Sequence, residues 1–162
     1  MSTKTLLINL KKELSALFNI KPKLTTSYKG LNEQCIYSLL FTIHYLEQHS
    51  YTLTHICLHD FEVSDQVLYL TKDDHIVELF DDHYIYESSN ATKQNLDFLP
   101  NNITYNNHKY VLYRSVGLFM FYLVTKKIRT HIPDAELDAL YYTKPYFFIK
   151  NALDVEPCLI YL

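Results

Sequence analysis

The most constraining feature of this chain is an apolar run, Val116–Val124, that has no polar face. A helix that is apolar on all sides is stable only inside a core, so the run predicts a buried helix within Tyr110–Lys127. Gly117 lies in its first turns, where glycine costs about 1 kcal/mol relative to alanine. We therefore expect another backbone or a bulky side chain to pack against Gly117. The run is far shorter than the roughly 20 residues that span a bilayer.

Other helices are predicted from apolar periodicity and from capping residues. Ser2 or Thr3 can cap a first helix of about 15 residues that Pro22 ends. Asn32 can cap a second helix that runs to about His49. Two short final helices are predicted on either side of Lys144-Pro145, at Asp134–Leu140 and Tyr146–Leu153.

A β section is expected between the second helix and the buried helix. Val67–Leu70 and Ile76–Leu79 predict two brief strands, and Thr71–Asp74 between them has the composition of a hairpin turn. Thr54–Leu58 is a further short apolar run, and residues 81–107 are predicted to form a polar loop. The sequence thus predicts a mainly α fold with a small β hairpin.

Composition limits the class of protein. A chain of 162 residues without a linker-like stretch is expected to form a single domain, residues 1–162. The net charge of −3 gives no general case for nucleic-acid binding. Three widely spaced cysteines make a poor disulfide framework, so we expect Cys35 and Cys57 to be buried thiols. We therefore expect a soluble protein that is cytoplasmic or otherwise intracellular, with no transmembrane segment.

Three segments resemble the C-terminal lobe of a protein kinase, and they occur in the same order. Residues 30–46 resemble the helix before the catalytic loop, and residues 67–79 resemble the strand pair that follows that loop. Residues 115–125 resemble the buried kinase helix that begins Asp-x-Trp-Ser-x-Gly, with Ser115 and Gly117 retained as structural residues. The resemblance implies a kinase-like core over residues 30–162, preceded by an amphipathic helix and loop over residues 1–29.

The catalytic positions of that family are replaced. The resemblance places a degenerate catalytic loop at His59, Asp60, Phe61, Val63 and Gln66, with Phe61 in place of the catalytic base and Gln66 in place of the metal-binding asparagine. It places a degenerate metal motif at Asp81, Asp82 and His83, and residues 1–29 contain no glycine-rich ATP-binding loop. The pattern is similar to that of kinase non-catalytic C-lobe domains (KIND domains), which implies a protein-binding scaffold without catalysis or cofactor.

Alternative interpretations exist for several polar residues. Asp73-Asp74-His75 and Asp81-Asp82-His83 have metal-ligand composition, although aspartate is common in turns for backbone reasons, and we predict no metal there. His55, His59 and Asp60 offer a base and an orienting acid, with a structural remnant as the alternative interpretation.

The aromatic residues near the end of the chain suggest an interface. Aromatic side chains are enriched at binding hot spots, and core packing of the last helices is the alternative. The cluster consists of Tyr141, Tyr142, Tyr146, Phe147 and Phe148.

We predict a non-catalytic scaffold that resembles a pseudokinase C-lobe and binds another protein. The sequence gives neither the identity of that partner nor the oligomeric state. One alternative is a structural or assembly subunit, for instance of a large DNA virus particle. Another is a residual nucleotide- or metal-dependent enzyme that uses Asp60, Asp65 or Asp81.

Overall fold

The computed structural model describes residues 2–80, 97–100 and 108–154. Within these ranges the chain forms five α-helices and small antiparallel sheets, and helix predominates, which confirms the coarse fold prediction. No helix in the described ranges is both long and apolar enough to cross a membrane.

The chain divides into two compact units. The first unit comprises Met1–Leu53 and Cys57–Asp82, and the second comprises Thr54–Ile56 and His83–Leu162. The prediction of a single domain, residues 1–162, stays a prediction.

The first helix, α1 (Thr3–Leu17), begins as the capping pattern predicts. The Ser2 hydroxyl accepts a hydrogen bond from the Thr5 amide at 3.2 Å. The helix buries leucines at i, i+4 and i+8. It ends well before Pro22, because Asn19 adopts a left-handed φ of 52° just beyond the last turn, a common conformation after helix ends. The proposed role of Pro22 in ending α1 is therefore wrong.

The second helix, α2 (Ile36–Gln48), follows a 3-10 turn over Glu33–Cys35. The Asn32 side chain accepts a hydrogen bond from the Gln34 amide at 2.9 Å, so Asn32 caps this 3-10 turn, whereas Cys35 is the N-cap residue of α2 itself. Cys35, in this turn, is a fully buried thiol, as predicted.

The strands pair differently from the prediction. β1 (Tyr51–Leu53) pairs with β5 (Ile76–Glu78), and β3 (Phe61–Ser64) pairs with β4 (Val67–Leu70), both antiparallel. The predicted hairpin between residues 67–70 and 76–79 is therefore not formed, and that prediction is wrong. The turn of the true hairpin is Asp65-Gln66, whose φ values of 48° and 64° match a two-residue turn with left-handed central residues.

The second unit is built on α3 (His108–Thr125), whose buried face confirms the predicted internal helix. A Cβ placed on Gly117 would lie 3.0 Å from the Ala152 Cβ in α5 (Lys144–Asp154), so the predicted close packing is confirmed. Pro145 does not separate two helices, since it lies in the first turn of α5, where its missing N–H costs nothing. α4 (Asp134–Asp138) follows Pro133, as expected, and the strands β2 (Ile56–Cys57) and β6 (Asp97–Phe98) pair with each other.

Candidate functional site

Three side chains with metal-ligand or catalytic chemistry converge in the first unit. The Cys57 sulfur, a carboxylate oxygen of Asp60 and a ring nitrogen of His75 all lie within 4.8 Å of one another. We call Cys57, Asp60 and His75 the Cys-Asp-His cluster.

Local backbone structure explains the convergence. Cys57 directly precedes a 3-10 turn over Leu58–Asp60, and side chains three residues apart eclipse one another across such a turn. Cys57 and Asp60 therefore point to one side. The Asp60 carbonyl then accepts hydrogen bonds from the amides of Thr71 and Lys72, at 3.0 and 3.2 Å. These bonds hold the segment that leads to His75 beside the turn.

The cluster is buried on one side and open on the other. Cys57 and Asp60 are 2% and 3% exposed, whereas the His75 side chain is 28% exposed. The Nδ1 atom of His75 lies 2.5 Å from the Oδ2 atom of Asp60. Among the described residues, the imidazole ring of His75 is thus the part of the cluster that is open to solvent.

The cluster carries negative potential, and Tyr28 reports it. The pKa of the Tyr28 phenol is raised by burial and further by the negative charges of Cys57, Glu62 and Asp60. The phenol donates a hydrogen bond to the Phe61 carbonyl at 2.9 Å, which fixes it at the edge of the cluster. A cation would be attracted to such a site.

The predicted catalytic-loop remnant is not a loop. Phe61 and Val63 are buried residues of β3, and His59 is exposed with its ring edge-on to Tyr28 at 6.3 Å between centroids. Gln66 lies in the hairpin turn, where its amide donates to the Gly30 carbonyl at 2.7 Å and its oxygen accepts from the Asn32 amide at 3.0 Å. Gln66 thus fixes the loop before α2, and its assignment to a degenerate catalytic-loop position stays a prediction.

The histidine and aspartate residues pair differently from the predicted dyad. Asp60 pairs with His75, whereas His55 in the second unit pairs with Asp97, with 3.2 Å between Nε2 and Oδ1. The alternative interpretation in which Asp60 orients His55 or His59 is therefore not what the structure shows.

The Asp73-Asp74-His75 triplet does not act as one ligand set. Asp73 accepts a hydrogen bond from the Thr3 hydroxyl at 2.7 Å, and Asp74 is an exposed residue in a turn. Only His75 of the triplet belongs to the Cys-Asp-His cluster. Asp81, Asp82 and His83 lie outside the described residues.

Ser115 has a structural role in the second unit. Its hydroxyl is fully buried, accepts a hydrogen bond from the Ile56 amide at 2.8 Å and donates one to the Phe98 carbonyl. The Ser115 hydroxyl thereby connects Ile56 of β2 and Phe98 of β6 to α3.

Several aromatic side chains of the second unit stand on its surface. Tyr141, Tyr142 and Phe147 are 50%, 96% and 58% exposed. The Tyr141 centroid lies 5.1 Å from that of Tyr142 and 6.4 Å from that of Phe147. Tyr146 is buried beneath them, and Phe148 is half-buried. We call Tyr141, Tyr142 and Phe147 the aromatic patch; it contains three of the five residues predicted at an interface.

The Cys-Asp-His cluster is not recognisable as a unit in the sequence. The spacing of Cys57 and Asp60 is a usable signal, because i and i+3 meet on any tight helical turn. The sequence contains no signal for the approach of His75 to these two residues, because that approach depends on backbone hydrogen bonds to Asp60 across a hairpin.

In comparisons with protein families, with curated proteins and with solved structures, the chain has no significant match. The likeness to a kinase C-terminal lobe therefore stays a prediction from the sequence.

Proposed function

We propose that the chain is a non-catalytic protein-binding module whose contact surface is the aromatic patch. The observation that carries this proposal is that the exposed ring of Tyr141 lies beside the exposed rings of Tyr142 and Phe147 in the second unit. Single exposed apolar residues are ordinary on protein surfaces, whereas contiguous ones mark interaction sites. Tyrosine and phenylalanine bury large areas when a partner covers them.

Two of the three rings of the aromatic patch pack against buried Tyr146. The ring centroid of Tyr146 lies 5.1 Å from that of Tyr141 and 5.0 Å from that of Phe147. The turn before α5 is fixed by the Thr143 amide and hydroxyl, which both donate to the Leu140 carbonyl. Rigid side chains lose less conformational entropy on association, so this arrangement favours binding.

A crosslinking experiment tests the proposal. A photo-reactive phenylalanine analogue at Tyr142 should give a discrete adduct with one protein in the native source. The same analogue at Tyr37, a 67% exposed tyrosine of α2, is the control and should not give that adduct. Equal crosslinking at the two positions would contradict the proposal.

Substitution then measures the contribution of the patch to binding. Tyr142→Ser with Phe147→Ser should weaken binding to the crosslinked partner by about 30-fold or more, since hot-spot truncations cost about 2 kcal/mol or more. Tyr37→Ser should leave binding unchanged. The finer proposal of a pseudokinase-like scaffold rests on the three sequence segments that resemble a kinase C-terminal lobe.

A further inference from the structure

We propose that Cys57, Asp60 and His75 bind a zinc ion in the first unit. The donor set decides which ion. Zinc accepts thiolate sulfur, imidazole nitrogen and carboxylate oxygen in one site, whereas magnesium and calcium require oxygen ligands. Cys57, His75 and Asp60 supply one donor of each kind.

The geometry requires only small adjustments to accept the ion. Zinc bonds of about 2.0–2.3 Å in a tetrahedron place the donor atoms about 3.5 Å apart. The three donor atoms already lie within 4.8 Å of one another. The contact between His75 and Asp60, at 2.5 Å, must open by about 1 Å. The partly exposed ring of His75 can supply that movement.

The surroundings favour a cation. Asp60 is a buried carboxylate, and burial, together with the electrostatic effect of Cys57, Glu62 and Asp60, raises the pKa of the Tyr28 phenol. Binding requires the thiolate and the neutral imidazole, so uptake of the ion releases protons. Three protein ligands leave a fourth position for water, and the exposed side of His75 is the route by which ion and water enter.

The ion would act on the first unit by joining separate elements. Cys57 ends β2, Asp60 closes the 3-10 turn, and His75 directly precedes β5. One ion bound to all three would hold these segments together in the native state and not in the unfolded chain. Binding to the native state alone raises the melting temperature by an amount that grows with the ratio of ligand concentration to Kd.

The test uses the full chain after treatment with a chelator. Cobalt(II), a spectroscopic substitute for zinc, should bind in a one-to-one ratio and give a thiolate-to-cobalt charge-transfer band. Zinc at about 100 times its Kd should raise the melting temperature by about 5–10 °C. Magnesium should not shift it. The absence of both the thiolate band and the zinc-dependent shift in the unmodified chain would overturn the proposal without any variant.

Variants then locate the site. Cys57→Ser should abolish the thiolate band, and His75→Gln should weaken zinc binding by about 100-fold. Cys35→Ser is the matched control, because Cys35 is an equally buried cysteine of the same unit that lies outside the cluster. Zinc binding that survives both Cys57→Ser and His75→Gln, or that is lost in Cys35→Ser, would overturn the assignment.

Discussion

Each unit contains a histidine–aspartate pair, and the two pairs differ in how closed they are. In the second unit the side chains of His55 and Asp97 are 4% and 1% exposed. In the first unit His75 is 28% exposed against the buried Asp60, and the thiol of Cys57 stands beside them. The same two residue types thus form a closed contact in one unit and a contact open to solvent in the other.

This difference separates a structural role from a ligand-binding one. The closed pair lies where β2 and β6 meet, and the Ser115 hydroxyl also bonds to backbone there. Removing any of these groups should therefore destabilise the native state. The open pair has a third donor and a route to solvent, so its replacement should change ion binding first. The aromatic patch lies in the second unit and the Cys-Asp-His cluster lies in the first. Failure of the protein-binding proposal would therefore leave the zinc proposal intact, and the reverse also holds.

The largest effect is expected from breaking the closed pair. Asp97→Ala removes the carboxylate that contacts His55 in a buried environment, and a buried group that loses a hydrogen-bond partner costs about 1–3 kcal/mol, or more where a charged group is involved. Urea unfolding followed by circular dichroism measures the change. Asp138→Ala, at an exposed position of α4, should stay within about 0.5 kcal/mol of the unmodified chain. If Asp97→Ala were as stable as Asp138→Ala, burial of the His55–Asp97 pair would not give it the structural role that separates it from the His75–Asp60 pair.

The second-largest loss of stability is expected from substitution of Ser115. Ser115→Ala leaves the Ile56 amide and the Phe98 carbonyl without the hydroxyl that bonds to both. Unsatisfied buried polar groups cost about 1–3 kcal/mol each, and we expect a loss of about 2 kcal/mol. Ser38→Ala, which removes another fully buried hydroxyl with two backbone bonds, gives the comparison in the first unit. A neutral Ser115→Ala would mean that the hydroxyl does not hold these strand residues to α3.

A smaller effect is expected where α3 meets α5. Gly117→Ala gains about 1 kcal/mol of helix propensity, but its Cβ would lie 3.0 Å from the Ala152 Cβ. Overpacking costs about 1–3 kcal/mol, so we expect a net loss of about 1 kcal/mol. Adding Ala152→Gly should recover part of that loss, and a double-mutant cycle measures the coupling. Additive effects of the two substitutions would contradict the contact.

The helices are predictable from the sequence because their signals are local. Ser2, Asn32 and the apolar run around Gly117 are sufficient to locate α1, α2 and α3. The hairpin is predicted at the wrong turn, since Asp65 and Gln66 adopt positive φ without being glycine. The conformations of Asp65 and Gln66 depend on the pairing of β3 with β4, which the residues of the turn do not specify.

The candidate sites depend on contacts that local patterns do not encode. The aromatic patch is recognisable from its composition, although only the structure separates exposed Tyr142 from buried Tyr146. The two histidine–aspartate pairs join residues 42 and 15 positions apart, and the sequence offers nearer partners for both. Side-chain pairing at such separations follows from backbone hydrogen bonding and strand register.

The smallest effect should come from an ion pair at the surface of the second unit, in which the side chains of Arg129 and Glu136 are 36% and 25% exposed. Arg129 donates two hydrogen bonds to Glu136, at 2.9 and 3.1 Å, and Lys127 lies 3.9 Å away. The hydrogen bonds from Arg129, with the charges of Arg129 and Lys127, lower the pKa of Glu136 below its ordinary value of 4.5 against an opposing effect of desolvation. The folded state therefore binds this proton more weakly than the unfolded state does. The resulting stabilisation is present above pH 4.5 and is lost as the pH falls through the lower folded pKa.

Melting temperatures of the unmodified chain and of Glu136→Gln test this dependence on pH. The two should differ slightly at about pH 7 and converge at low pH, where Glu136 is protonated, and about 1 M salt should shrink the difference. Arg129→Gln should reduce the dependence in the same way, because it removes the main cause of the lowered pKa. Exposed pairs are screened by water, so the difference must stay well below that produced by Asp97→Ala. An equal effect would mean that burial does not rank these contacts, and the distinction between the closed and the open pair would lose its physical basis.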